Sequence, residues 1–213
     1  MPDAATSLAG ARLVAAAAAA IRAEAEHLTA LDQAIGDGDH GLNMRRGFDA
    51  LLEQQAELAA LPLGQALQKA GMTLVMKVGG ASGPLYGSLL MALGKAAPAG
   101  SVDGAALRAM LQAGIAAVMA RGKSTAGEKT LLDVLVPVEA ALGEGLAAGE
   151  DLPALARRAQ LAAAAAAAAT QPLQATKGRA SFLGPRSVGH MDPGACSSAL
   201  LIATLCDFLT GTP

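Results

Sequence analysis

Apolar residues recur every three to four positions through nearly the whole chain, which is the spacing of one face of an α-helix. Leu63, Leu67, Ala70, Leu74, Val75 and Val78 form one stripe, and Leu107, Met110, Leu111, Ile115, Val118 and Met119 a second. Leu152, Leu155, Ala159 and Ala162 lead into an alanine run that ends at Ala169. The pattern predicts eight helices, over residues 7–26, 41–59, 63–78, 83–97, 103–120, 128–148, 151–170 and 192–210. Chain breakers separate them: Pro62, Gly79 with Gly80, Pro98 to Gly100, Gly122, Gly149 and Pro153. Strand-like alternation is absent. The last segment is apolar on most sides, which predicts a buried helix. No linker is long enough to divide the chain, so residues 1–213 are expected to form a single all-α domain.

Composition sharpens this picture. Hydrophobic residues make up 53% of the chain but aromatics only 2%, so much of the apolar count is alanine. Alanine is the best helix former and loses no side-chain entropy, which favours closely packed helices over a β-sandwich. The net charge is -2, with no basic block and few aromatics to stack on bases, which argues against nucleic acid as a partner. The run Ala15–Ala20 is short and flanked by Arg12 and Arg22, and Ala195–Leu205 is about half of the ~20 residues a membrane span requires. No basic stretch followed by an apolar segment and a cleavage site marks the N-terminus. Cys196 and Cys206 lack a C-x-x-C spacing and read as reduced, structural thiols of a cytoplasmic protein.

The chemistry gathers in the joints between helices. Between Leu31 and Asn43, Asp32, Asp37 and Asp39 are interleaved with Gly36, Gly38 and Gly41. Carboxylates crowded in this way repel one another unless a cation joins them, and magnesium, a hard ion with oxygen ligands, is the natural candidate. A plain polar turn in which Asp39 caps the next helix is the alternative. A calcium-binding EF-hand loop does not fit, because Gly41 and Phe48 stand where oxygen ligands are needed. Val78 to Pro84 is a glycine-rich entry to a helix, whose free N–H groups would suit a phosphate. The stretch from Thr176 to Gly194 carries three cations and several hydroxyls. It ends in Asp192-Pro193, the pattern of an N-cap followed by proline at the first helical position. Gly122-Lys123-Ser124 is not a P-loop, since Ala117 replaces the first glycine and no strand precedes it.

Taken together, these joints resemble the nucleotide-binding subunit family of dihydroxyacetone kinase. The resemblance rests on Leu31-Asp32, Ile35 to Asn43, Gly71 to Leu74, Val78 to Gly87, Arg121 to Lys123, Lys129-Thr130, Val134 with Val136-Pro137, and Lys177 to Ala195 in their parts. It covers essentially the whole length, in the right order. It implies an eight-helix antiparallel barrel with the nucleotide in the loops at one end. By the same resemblance, Asp32, Asp37 and Asp39 would bind two magnesium ions, and His40, Gly41, Leu42, Asn43, Ala81 and Ser82 would contact the phosphates of ADP or ATP. Gly122 and Leu131 would lie beside the nucleotide, with Leu131 offering only an apolar contact. Arg179 would serve catalysis and, with Asp192, Pro193 and Gly194, complete the site.

The implied activity is phosphoryl transfer to dihydroxyacetone held by a partner subunit, with the bound ADP recharged by a phosphohistidine phosphocarrier. Such chemistry needs positioning and charge neutralisation more than a general base. In the family the acceptor sugar is held covalently through a histidine on another subunit or domain. Of the three histidines here, His40 falls in the acidic loop and neither His27 nor His190 shows a carbonyl-binding role. Two other readings remain open at this level. One is a subunit that exchanges free ATP directly. The other is a nucleotide-loaded regulatory partner of a transcription factor.

Overall fold

The computed structural model describes residues 4–211. Among them are nine α-helices, one 3₁₀ helix and no strand. The α-helices are α1 (Ala4–Ile35), α2 (His40–Glu53), α3 (Gln55–Ala59), α4 (Leu63–Lys77), α5 (Ser82–Ala96), α6 (Gly104–Gly122), α7 (Leu132–Ala147), α8 (Leu152–Ala169) and α9 (Pro193–Thr210). The 3₁₀ helix spans Arg179–Ser187.

The all-α expectation holds, and its boundaries shift for local reasons. α1 continues to Ile35 because no glycine or proline intervenes before Gly36. The helix expected over 41–59 breaks at Gln54, whose N–H bonds to Leu51 O in a tightened turn. α7 begins at Leu132, not at 128, because Lys129 takes a left-handed conformation with φ 61° that no helix can contain. In the sequence Gly178, Gly184 and Pro185 point to a loop here; the structure forms a 3₁₀ helix after Gly178, kinked at Gly184.

Helix contacts close on themselves. α1 packs on α2, α2 on α4, α4 on α5, and so on through α8 and α9, which returns to α1. The enclosed core is led by Ile21, Leu28, Met44, Leu74, Val118 and Leu132. Each such side chain contributes about 1.5–3 kcal/mol on leaving water. A second cluster, with Val134, Leu142, Leu155, Ala159 and Ala163, joins α7, α8 and α9. Here small alanines let the helices approach closely.

α4 departs from its apolar stripe. Leu63 is exposed, and Val75 is partly so although it lies against Gly87, because α4 meets α5 through glycine. A Cβ on Gly71 would lie 2.7 Å from Gly87 O, and one on Gly64 would lie 2.7 Å from Gly94 O. These backbones touch, so the α4–α5 hairpin is tight and presents the Gly79–Ala81 turn at one end.

α9 also needs a correction. Its 18 residues are long and apolar enough, by length and composition, to cross a membrane, more than the run Ala195–Leu205 suggested. In the fold it packs against α8, α1 and α7. It is buried mainly along its first turns, at Pro193, Ala195, Ser197 and Ser198, and half-buried over most of its remaining length. Its buried serines bond to other helices, which is the arrangement of a core helix.

Candidate functional site

The acidic loop is shaped by Asp32, which sits on the last turn of α1. Its Oδ2 accepts the N–H groups of Asp39 (2.8 Å) and His40 (3.0 Å), so it caps the start of α2. Asp39 occupies the N-cap position but makes no side-chain cap bond. The polar-turn alternative required that bond; without it, the Asp39 carboxylate is left free. Gly36 is required by closeness: a Cβ there would lie 2.0 Å from Asp32 Oδ1. One carboxylate oxygen from each of Asp32, Asp37 and Asp39 lies within 4.8 Å of the others. Asp32 is buried, while Asp37 and Asp39 are exposed.

Beside this loop, His40 bridges two elements. Its Nδ1 is 3.0 Å from Ser82 Oγ on α5, and its Nε2 is 2.8 Å from Ser197 Oγ on α9. Tyr86 continues the chain, with its hydroxyl 2.7 Å from Ser197 Oγ and 2.8 Å from Ser198 Oγ. Burial lowers the His40 pKa below its ordinary value, against the opposing pull of Asp32 and Asp39. Burial likewise raises Tyr86 well above the usual phenol range. The imidazole therefore has both ring nitrogens engaged, and Ser82 is its contact toward the loop. Gly41 is packed so closely on α1 that a Cβ would lie 1.9 Å from Ala25 O, whereas Leu42 is half exposed.

Asn43 is oriented by Arg46, whose Nη2 donates to Asn43 Oδ1 (2.6 Å) and whose Nε donates to Lys77 O (2.8 Å). With its oxygen taken by a pure donor, the Asn43 amide directs its NH₂ elsewhere, as an anion would require. Gly79 lies against this pair, 2.7 Å from Asn43 Oδ1 if it bore a Cβ. Ala81 opens α5 without any side-chain cap. Its first N–H groups are thus left for water or a ligand.

The segment between α8 and α9 reaches back to the acidic loop. Arg179 Nη2 lies 2.9 Å from Asp37 Oδ2, in an exposed ion pair. Ala175 and Ala180 pack on Ile35, which anchors the segment at the end of α1. At its far end Asp192 caps α9 through Ala195 N–H (2.7 Å), with Pro193 in the first turn, as the sequence pattern predicts. Burial pushes the Asp192 carboxyl up to about 7. Gly194 faces Leu131, whose N would be 3.6 Å from a Cβ at 194. Leu131 is buried in the main core. Gly122 ends α6 against Leu85 and Ser124.

The structure thus joins Asp32, Asp37, Asp39 and Arg179 directly, ties His40 to Ser82, and sets Gly194 against Leu131. Gly122 instead lies against Leu85 and Ser124. The reading of single joints missed Arg46, Tyr86, Asp133, Thr170, Ser197 and Ser198, and gave Lys129 no role. Only their juxtaposition in space reveals them. Chemically, three carboxylates offset by one arginine leave net negative charge on hard oxygen donors, which fits magnesium. The nearby uncapped helix start and the Asn43 amide suit phosphate oxygens.

Comparisons with known proteins identify relatives of this chain. The DAK2 domain matches residues 34–207. The chain is 49% identical over 174 residues to the PEP-dependent dihydroxyacetone kinase 1, ADP-binding subunit DhaL, of Listeria innocua, covering 82% of each protein. It is 43% identical to the corresponding ADP-binding subunit of Escherichia coli over 183 residues, covering 85% of this chain and 87% of that one. Among solved structures, the dihydroxyacetone kinase of C. freundii in complex with AMP-PNP and Mg2+ superimposes with a TM-score of 0.70 at 27% identity. That match covers 97% of this chain and 34% of the other, so the chain spans about a third of the solved kinase.

Proposed function

Because the chain belongs to the DAK2 domain family, we propose that it is the ADP-binding subunit of a PEP-dependent dihydroxyacetone kinase. It is a phosphotransferase subunit that carries a magnesium-bound adenine nucleotide and hands its terminal phosphoryl group to dihydroxyacetone on a partner kinase subunit. The bound ADP is recharged in place by a phosphohistidine phosphocarrier. The observation that carries this reading is the cluster of Asp32, Asp37 and Asp39 with Arg179 beside it.

In this reading Asp32, Asp37 and Asp39 hold two magnesium ions, which supply neutralisation of the β- and γ-phosphate charges. Asp32 keeps the loop in shape through its bonds to the start of α2. Ser82, steadied by His40, and the first N–H groups of α5 contact the phosphates, with Asn43 directed by Arg46. The backbones of Gly41, Leu42 and Ala81 complete that cradle. Gly122, Leu131 and the Asp192-Pro193-Gly194 turn border the nucleotide. Arg179 counters the charge that develops on the moving phosphoryl group. The unpaired Cys196 and Cys206 agree with a reducing, cytoplasmic setting. The described residues 4–211 act as one domain.

Assays with purified components test this. Alone, given ATP and dihydroxyacetone, the protein should form no dihydroxyacetone phosphate. With the sugar-binding subunit, a preloaded ATP form should give one turnover, and sustained turnover should need the phosphocarrier. Sustained turnover on free ATP with the sugar subunit alone would instead identify an ATP-exchanging kinase.

A further inference from the structure

Lys129 is the largest fully buried side chain in the described structure, with 1% of its surface exposed. Its ammonium donates to Thr170 O and Leu173 O, both at 2.9 Å, and to His190 O at 2.5 Å, with Gln171 O at 3.4 Å. An ammonium has three N–H donors and no acceptor, so three close carbonyls and one shared one satisfy it fully. The carbonyls come from the two ends of one segment: Thr170, Gln171 and Leu173 follow α8, and His190 precedes α9. Between them runs the loop that bears Arg179.

Other bonds meet at the same neck. Gly189 N–H donates to Gln171 O (2.9 Å), and Asp192 N–H donates to Thr170 Oγ1 (3.0 Å). Lys129 is delivered to this neck by a rigid turn. Asp133 accepts the N–H groups of Gly127 (2.5 Å) and Thr130 (2.6 Å), and Lys129 itself is held at φ 61°. A non-glycine residue persists in the left-handed region only where its surroundings hold it there. Here the four carbonyls that receive the ammonium supply that hold. Asp192 and Asp133 lie close enough to favour the charged amine, against the burial that disfavours it.

We propose that Lys129 is a positioning residue, whose ammonium closes the neck of the loop 170–192 and thereby holds Arg179 against the acidic loop. The consequence for phosphoryl transfer rests on the role of Arg179 given above; the closure of the loop does not.

The closure is tested without nucleotide. Amide hydrogen exchange over residues 171–191 should quicken at least about tenfold in Lys129→Ala and Lys129→Met, as a locally opened segment does. Ammonium chloride, compared with sodium chloride at equal ionic strength, should restore slow exchange in Lys129→Ala, whose vacated space admits the ion. It should not do so in Lys129→Met, whose side chain fills that space. Unchanged exchange in the variants, or an equal response of both to ammonium, would overturn the clasp.

The consequence is tested by single-turnover transfer to the sugar-binding subunit. Lys129→Ala should slow it about tenfold, and the double variant with Arg179→Ala should be no slower than Arg179→Ala alone. Additive losses would overturn the route through Arg179. No loss in Arg179→Ala itself would refute the assigned role of Arg179 and leave the clasp standing on the exchange result. Should Lys129→Ala not fold, ¹⁵N NMR of the wild type decides: the Lys129 ammonium protons should exchange at least about tenfold more slowly than those of exposed lysines. Fast exchange would overturn the proposal.

Discussion

Two regions of this molecule gather charge and treat it in opposite ways. At Lys129 a single cation is buried and every donor has a carbonyl partner. At Asp32, Asp37 and Asp39 three anions lie within 4.8 Å, and the partners they have are two backbone N–H groups on Asp32 and an exposed arginine on Asp37. The first region is complete without any ligand. The second has spare acceptors and spare negative charge. The difference separates a device of the fold from a binding site: a satisfied buried charge stabilises its own surroundings, and an unsatisfied cluster waits for something from outside.

The largest effect should come from breaking the complete region. Lys129→Met keeps the bulk and removes the charge, leaving the carbonyls of Leu173 and His190 without their donor in the interior, while Thr170 O keeps the Leu173 N–H. Each buried carbonyl left without a donor costs about 1–3 kcal/mol, and two are left here. Chemical denaturation should show that loss as a lower midpoint. A change under ~1 kcal/mol would show that water takes over the role and that the lysine is dispensable.

The acidic region should behave the other way round, gaining from ligand and losing little from mutation. Magnesium–ADP at a hundredfold excess over its dissociation constant should add about 2.7 kcal/mol to stability, and chelation should remove it. Asp37→Ala should lose that gain. Its ligand-free stability should change by no more than about 1 kcal/mol, because its ion pair with Arg179 is exposed. Calorimetry of both proteins with and without magnesium–ADP checks this. A wild-type response in Asp37→Ala would reduce Asp37 to a turn residue.

The two regions were unequally legible in the sequence. The acidic loop could be read because its residues are neighbours in the chain, and crowded carboxylates between glycines carry their own physical meaning. The helices could be read because glycine and proline mark their ends. Lys129 could not be read, since its partners are backbone carbonyls 41 to 61 positions away. The bonds of His40 to Ser197 and of Tyr86 to Ser197 and Ser198 span more than 100 positions and leave no local pattern. The exposed Leu63 and the partly exposed Val75 were misplaced because apolar periodicity ignores glycine, while the α4–α5 contact is made of it. α1 runs past residue 26 because Glu24, Glu26 and His27 are polar but do not break a helix.

The smallest expected effect sharpens the boundary between the regions. Asp192 is buried between them, close enough to feel both Lys129 and Asp32, and burial pushes its carboxyl up to about 7. An unfolded aspartate titrates near ~3.9, so the folded state holds the proton more tightly. The stability that follows is fully present below the unfolded value and is lost as pH rises through about 7. Across one unit either side of that value, the ligand-free protein should lose about 1.4 kcal/mol from this group. Asp192→Asn keeps an oxygen to accept the Ala195 N–H and removes the titration, so its stability should be flatter with pH and at least equal to the wild type at the alkaline end. Urea midpoints at three pH values across that range measure the slope. If the variant keeps the wild-type slope, the slope does not come from Asp192, and Asp192 stands with Lys129 on the structural side of the divide.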